Sequence, residues 1–397
     1  MIYRLMVWEK TAGASRLVGE MICEVSDGGR TKSTFRYDRE YRENDCSFAL
    51  DPVSLPLKPG HFPTDRPGVF GVFEDSLPDD WGRKLLVRKL QIPRHDQNLP
   101  NLLLVLGNEG LGALSFSRQS APAPPSSETS IIFLSDLVRA AESFERGEIQ
   151  ESELKLLFRA GSSPGGARPK AVVYDKENDI HYLAKFPSVK DLVDVVKIEA
   201  ATMLMAAGAG LDVPDTRLIP CASKSVLLVR RFDVIPTGRR HMISFHTLLK
   251  AEGYYQARYQ ELLLVIRKYS SNPLVDSERL YRQMVFNAVV GNTDDHLKNF
   301  WMIYDREQGW RLSPAFDLVP DIGQNGEHVL LFDLGPYNPG RRKLANIGRQ
   351  WGIRNADIVV SQVFDAVGDW KDTFARTGVS DNDIKFFKEI DRNIVAP

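Results

Sequence analysis

Cysteine is scarce. The three present in 397 residues, Cys23, Cys46 and Cys221, lie far apart and form no C-x-x-C pair, which excludes a disulfide framework and the ligand spacing of a structural zinc site. A reducing, cytoplasmic setting is the expectation. An excess of one charge is also missing: 51 Lys and Arg stand against 52 Asp and Glu, a formal net charge of -1. No global field therefore draws the chain to nucleic acid or to an anionic membrane, and any such contact must come from a local patch or a partner. No run of about 18 uninterrupted apolar residues occurs, and Met1 to Lys10 lacks a basic segment followed by an apolar one. Neither a signal peptide nor a membrane span is expected. What is there, 43% apolar and 26% charged residues, is an ordinary globular mixture, long enough for two to three domains of ~150 residues each.

Along the chain, a Tyr-, Val- and Trp-rich start breaks at Lys10-Thr11-Ala12-Gly13 and resumes from Leu17 to Val25, the pattern of a β-hairpin. Trp81, Leu85, Leu86 and Leu90 recur at helical spacing between Asp79 and Leu90, ahead of Pro93, so a helix is expected there. These elements make an N-terminal α+β module of residues 1–118. Residues 119–130 hold Ala121-Pro122-Ala123-Pro124-Pro125-Ser126-Ser127, with no large side chain to bury, and read as a linker. Helices are then expected over 135–145 and 151–159, strands over 170–174, 181–186 and 225–229, and a helix over 191–207 stopped by Gly208 and Gly210. Helical patterns dominate from Ser244. A sheet-rich domain of residues 131–243 thus precedes a helical one of residues 244–397.

The loop Gly161-Ser162-Ser163-Pro164-Gly165-Gly166-Ala167-Arg168-Pro169-Lys170 invites three functional readings. A Walker A loop needs Gly-Lys-Ser/Thr at its end, and here Ala167 and Arg168 follow Gly166. A G-x-S-x-G nucleophile elbow sits between a strand and a helix, whereas this loop follows a helical segment and Pro169 opposes a helix after it. A loop that covers nucleotide phosphates with backbone NH groups fits the order helix, loop, strand, because glycine lets the chain approach closely. An ordinary surface turn is the bland alternative.

Farther on, the helix Asp276 to Val290 ends at Gly291, and Asn292-Thr293-Asp294-Asp295-His296-Leu297-Lys298-Asn299 follows. Asp294 and Asn299 have the D-x-x-x-x-N spacing of a kinase catalytic loop, in which the Asp accepts the proton of the attacking hydroxyl and the Asn holds magnesium. Phe300 to Tyr304, a turn, and Trp310 to Leu312 read as a hairpin that returns the chain, so Asp317 is expected beside Asn299. Two hard oxygen ligands completed by phosphate oxygens and water suit magnesium better than zinc. Lys185 lies in the apolar strand Leu183 to Phe186, where lysine is costly unless paired. Glu199 in the following helix is the right residue type to pair with it, as a kinase strand lysine and helix glutamate do, and a plain structural ion pair fits the same two residues.

With these segments the chain resembles the HipA family of serine/threonine kinase toxins of type II toxin-antitoxin systems. Ser163 to Lys170 looks like the family's glycine loop, Thr293 to Asn299 like its catalytic loop, and Ser313-Pro314-Ala315-Phe316-Asp317-Leu318 like its metal-binding segment. Phe73 to Asp79 and Leu104 to Leu114 are similar to its N-terminal subdomain. The resemblance implies an α+β, bilobal protein-kinase-like fold with a sheet-rich N-lobe, a helical C-lobe and an extra N-terminal subdomain. It implies Asp294 as catalytic base, Asn299 and Asp317 as magnesium ligands, and ATP held by Gly165, Gly166, Lys185, Glu199 and His296, with Arg230 and Phe232 at the adenine hinge. Arg230 departs from the acidic residue common in the family there. Ser163, or its neighbour Ser162, matches the autophosphorylated position that shuts such kinases off.

The resemblance further implies a HipB-like helix-turn-helix antitoxin, contact with DNA mainly through that antitoxin, and a protein substrate such as an aminoacyl-tRNA synthetase whose inhibition favours persistence. Two other readings stand beside it. One is a catalytically silent co-repressor acting through an antitoxin on operator DNA; the other is a metal-dependent hydrolase built on Asp294, Asp295, His296 and Asp317. Arg341, Arg342, Lys343, Arg349 and Arg354 form a basic stretch without a carboxylate, read as a solvated helical face or as phosphate contacts in a complex with DNA.

Overall fold

Burial alternates along Ile2–Ala12 (β1), with Tyr3, Leu5 and Val7 inside, as it must when one face of a sheet is covered. In the computed structural model, which describes residues 1–124, 129–160, 168–253, 257–322, 326–333 and 335–396, β1 pairs antiparallel with Ala14–Val25 (β2). The break expected over four residues shrinks to a turn at Gly13, which has φ +78°. Bulges after Val7 and Glu9 explain the difference. The buried Glu9 carboxylate accepts from Thr11 N (2.6 Å), supplying the partner that a bulged strand loses, and from the Arg16 guanidinium (Nε, 2.8 Å), which balances its charge.

The chain divides into two compact units, the first comprising Met1–Val189, Arg230–Ile243 and Ile303–Glu307, the second Lys190–Val229, Ser244–Met302 and Gln308–Pro397. In the first, Thr31–Tyr37 (β3), Phe62–Pro63 (β4) and Leu114–Ser117 (β5) complete a sheet of order β4-β3-β2-β1-β5. A Cβ on Gly19 would lie 2.2 Å from the Arg36 carbonyl oxygen, so β2 and β3 need glycine there. Phe35 meets Tyr37, Phe70 and Phe73 edge-on, and Phe73 meets Phe116, an aromatic core beneath the sheet.

Asp80–Lys89 (α1) buries Trp81, Leu85 and Leu86 of the expected apolar face, whereas Leu90, which follows its last residue, is 42% exposed. Leu99–Leu106 (α2) starts where the Asn98 side chain accepts from Asn101 N. Leu134–Arg146 (α3) and Glu151–Arg159 (α4) match the expected helices, α3 ending on Gly147 in the left-handed conformation. Lys170–Asp175 (β6) and Ile180–Lys185 (β7) form an antiparallel hairpin.

The second unit is mainly helical. Val195–Gly208 (α5) begins four residues later than the expected 191–207, because Asp194 accepts from Lys197 N and caps it; Leu192, inside the expected span, precedes the helix and is 82% exposed. Thr216–Cys221 (β8) and Lys224–Arg230 (β9) pair antiparallel. Tyr259–Tyr269 (α6) and Pro273–Val290 (α7) follow, α7 starting on the proline expected at a first turn and stopping at Gly291, φ +74°. Helix α7 is buried through most of its length and packs against α6 and the C-terminal helices Ala356–Gly368 and Lys388–Val395. Among the described residues, no helix is long and apolar enough to cross a membrane.

Candidate catalytic site

Where α7 stops, the chain is pinned before it reaches the chemistry. Asn292 donates through its backbone to Asn287 O (3.0 Å) and through its side chain to Asn287 Oδ1 (3.1 Å). Two residues on stands Asp294. The Asn299 amide, buried in the short turn Leu297–Asn299, donates to the Asp294 carbonyl at 2.8 Å. The chain then leaves along Trp301–Asp305 and returns along Gly309–Leu312, so that Ser313 N reaches Trp301 O at 2.9 Å. Four residues after Ser313 comes Asp317, close enough to Asp294 to act on its charge.

Asp294, Asn299 and Asp317 are thus brought together. Asp317 has φ +56°, a left-handed backbone that a non-glycine residue adopts at a cost and that concentrates at functional sites. The Asp294 side chain opens to solvent, yet the protein packed around its carboxyl withholds water, and this desolvation is the main cause that raises its pKa above the ordinary carboxylate value. His296 opposes the shift, whereas Asp317, Asp295 and Asp321 reinforce it. Asp321 was not expected from the spacing; its backbone donates to Gly291 O at 2.8 Å, which brings it to the start of the loop.

Such crowding of carboxylates favours a bound cation. Asn299 uses its amide nitrogen on the Asp294 carbonyl, which leaves its oxygen as the ligating atom, and Asp317 supplies a carboxylate. One neutral and one anionic oxygen, with positions left for phosphate and water, fit magnesium. Among the described residues no cluster of three His, Cys, Asp or Glu could hold a metal. Asp295 in particular is turned inward and fully buried, its Oδ1 taken by Leu330 N and its Oδ2 by Tyr259 Oη and His328 Nδ1. The four-residue ligand set of a hydrolase does not assemble.

The remaining candidates belong to other elements. Lys185 ends β7, half-buried, in the first unit, and Glu199 is buried in α5 of the second. Within the first unit, Arg231 N donates to His181 O at 2.9 Å, tying the segment that carries Arg230 and Phe232 to β7. Arg230 is exposed, whereas Arg231 is buried against Asp233. The Phe232 carbonyl accepts from Arg240 Nη1 at 2.9 Å. Ser162, Ser163, Gly165 and Gly166 lie outside the described residues.

One residue was overlooked in the sequence. Lys170, just past the glycine loop, is the cross-strand partner of Lys185 and is 6% exposed. Directly opposed side chains share a face of the hairpin, so β6 and β7 put two ammonium groups on one side. The signal was available: a lysine opening an apolar strand is as costly as Lys185 within one. In the basic stretch, Arg341 lies over the Phe364 ring and donates to Ser361, while Arg349 pairs with Asp357 at 2.6 Å, a carboxylate from the next helix.

Comparison with known proteins agrees on one family. Residues 14–117 match the family described as HipA N-terminal domain, and residues 162–371 that described as HipA-like C-terminal domain. A protein of Sinorhizobium fredii (strain NBRC 101917 / NGR234) named "Putative kinase Y4dM" is 27% identical over 329 residues, 77% of this chain and 76% of its own. A second from that organism, "Putative kinase Y4mE", is 30% identical over 151 residues, 35% of this chain and 34% of its own. Among solved structures, HipA of Shewanella oneidensis MR-1, determined with HipB and its operator DNA, superposes with a TM-score of 0.68 at 17% identity, covering 98% of this chain and 96% of that one. The fold is accordingly the mixed helix-and-sheet, protein-kinase-like one. With the C-terminal family match alone spanning more than half of its length, the chain belongs to the HipA family.

Proposed function

We propose that this protein is an ATP-dependent protein serine/threonine kinase acting as the toxin of a toxin-antitoxin pair. The observation that carries the reading is the gathering of Asp294, Asn299 and Asp317 at the end of a rigidly anchored loop. A raised pKa on a solvent-facing Asp suits a group that must take a proton and give it up again. Asp294 receives the proton of the acceptor hydroxyl as its oxygen bonds to the γ-phosphorus; the bond from that phosphorus to the bridging oxygen breaks, and ADP leaves. Asn299 and Asp317 hold magnesium, which when bound offsets the negative charge of the phosphates. From the first unit Lys185 and Lys170 supply positive charge for phosphates and Arg230 and Phe232 serve the base, and Glu199 of the second unit belongs with the nucleotide-binding residues. His296 eases the charge on Asp294 and lies on the nucleotide side.

Membership of the HipA family supports a helix-turn-helix antitoxin of the HipB kind as partner, with DNA reached mainly through it; the HipA of Shewanella oneidensis was determined with HipB and its operator DNA. The protein target is taken to be a component of translation such as an aminoacyl-tRNA synthetase, and the protein to work in the cytoplasm. Ser163, or Ser162, is the proposed autophosphorylation site. Intact mass after incubation with Mg-ATP tests the reading: wild type gains one phosphate and Asp294→Gln none. Retention of the gain in Ser163→Ala moves the site to Ser162 or elsewhere. Wild type that starts unmodified, binds ATP and transfers phosphate neither to itself nor to a synthetase overturns the kinase.

A further inference from the structure

Asp294 is one of three consecutive residues, and each accepts hydrogen bonds from elsewhere in the second unit. Thr293 O accepts from Val329 N at 3.1 Å, Asp294 O accepts from Asn299 Nδ2 at 2.8 Å, and the Asp295 carboxyl accepts from three donors. Those donors are Tyr259 Oη at 2.5 Å and His328 Nδ1 at 3.1 Å on Oδ2, and Leu330 N at 3.1 Å on Oδ1. Asp295 is fully buried, as are Tyr259 and, nearly so, His328. A buried carboxyl is costly unless its lone pairs are satisfied, and here each oxygen has a donor.

The Tyr259 hydroxyl is itself fixed. It donates to Asp295 and accepts from Asn287 Nδ2 at 2.9 Å, while Asn287 Oδ1 accepts from Asn292 Nδ2 at 3.1 Å. The bonds therefore close a ring from the first residue of the loop, through α7 and α6, back to Asp295. Residues 328–332 strap across it: Tyr259 N donates to Leu331 O (3.1 Å), Leu331 N to Ala257 O (2.9 Å), and the Tyr259 ring stacks on Phe332 with centroids 5.6 Å apart. Burial, with the Asp295 charge second, keeps the Tyr259 phenol well above its ordinary pKa, so it remains a donor throughout the physiological range.

We infer that Asp295 is a positioning residue for phosphoryl transfer, clamping the loop backbone to Tyr259 and to residues 328–332 so that the Asp294 carboxyl meets the acceptor hydroxyl. The peptide unit between Asp294 and Asp295 is planar. With the Thr293 and Asp294 carbonyls both held, and the Asp295 side chain anchored beyond them, the two peptide planes that flank the Asp294 Cα are fixed, and with them the direction in which its side chain leaves the backbone. Asp295 itself touches neither nucleotide nor acceptor. Its loss acts on the geometry of transfer, because the Asp295 carboxyl is spent on Tyr259, His328 and Leu330 and offers no oxygen to a ligand.

The inference rests on the kinase reading, and the test separates the two. Wild type, Asp295→Asn, Tyr259→Phe and the double variant are compared in kcat, in KM for ATP and in the Kd of a fluorescent ATP analogue, with active sites counted from binding stoichiometry. Each single substitution is expected to lower kcat by about 10- to 100-fold, the scale of a misplaced catalytic group, with nucleotide Kd within about two-fold of wild type. The double variant should be no slower than the worse single one, because both cut the same clamp. A purely structural role would reduce the countable sites and leave kcat per site unchanged, which overturns the proposal. So does a loss confined to KM, or full additivity. If Asp295→Asn does not fold, Tyr259→Phe, which removes one oxygen, decides alone. Wild type that binds nucleotide and transfers nothing sinks the kinase reading instead.

Discussion

Arg231 and Asp233 meet in the interior of the first unit, with Nη2 2.6 Å from Oδ2 and Nε 3.0 Å from Oδ1. Gly112 N donates to the same Oδ2 at 3.0 Å, and Arg239 donates to the carbonyls of Asn108 and Gly110. The strap that follows Phe232 is thereby locked to the loop between α2 and β5. Burial works against the Arg231 charge, but Asp233 prevails and raises its pKa; the same pairing holds the Asp233 carboxyl below its ordinary value against burial. Removing one partner leaves a buried charge uncompensated. Asp233→Ala is expected to cost about 3–5 kcal/mol, read from chemical denaturation, and the apolar pair Arg231→Met with Asp233→Leu to recover most of it. A loss under about 1 kcal/mol for Asp233→Ala would show that the pair is solvated.

The raised pKa of Asp294 carries a stability consequence. Burial is its first cause, and a carboxyl whose folded pKa lies above its unfolded one destabilises the fold once it ionises: the stability present below the unfolded pKa is lost as pH rises through the folded value. Asp294→Asn removes that charge. At pH 7, without divalent cation, the apparent Tm should rise by about 1–3 °C while phosphoryl transfer is abolished. Added magnesium should raise the Tm of wild type more than that of the variant. A Tm for Asp294→Asn below wild type would mean that the side chain holds the loop together.

Much of this site was legible because its signals are local. The five-residue interval between Asp294 and Asn299 is the reach of one short turn, and the hairpin that brings Asp317 back is marked by its strand and turn residues. Helices α3 and α4 lie where they were expected, and α7 starts at Pro273 rather than Asp276 and ends as expected at Gly291. What escaped depends on contacts distant in sequence. Asp295 reads as a ligand beside Asp294 until Tyr259, His328 and Leu330 are seen to take its oxygens. Lys170 gains meaning only from its register opposite Lys185. Arg230 and Arg231 cannot be told apart by type, and only the position of Asp233 makes the second the buried one. Leu192 failed as a helix residue because a cap two positions on outweighed apolar spacing.

His241 gives the first unit a pH dependence. Its ring is fully buried, Nε2 lies 2.8 Å from Leu50 O, and burial pushes its pKa down to about 4, with the Leu50 contact opposing. A histidine with a lowered folded pKa contributes stability above its unfolded value, and that stability is lost as pH falls toward the folded one. Between pH 6.5 and about 4 the loss should be on the order of 3 kcal/mol. Urea denaturation at stepped pH measures it. His241→Gln should flatten the dependence in this window, and an unchanged slope would assign the effect to other groups.

Two lysines opposed on one face of β6 and β7 should matter to phosphate more than to base. Two ammonium groups on one face of a hairpin suit a ligand that carries several negative charges. If Lys170 and Lys185 both face nucleotide phosphates, Lys170→Met and Lys185→Met should each weaken ATP binding by about 10- to 100-fold, the scale of one charged hydrogen bond. Adenosine, which has the base and no phosphate, should bind each variant as it binds wild type. The pair of ligands is the decisive comparison, because a lysine that merely supports the hairpin would weaken both when replaced. A variant that loses ATP and adenosine affinity in the same proportion removes that lysine from the phosphate site and leaves the other to act alone.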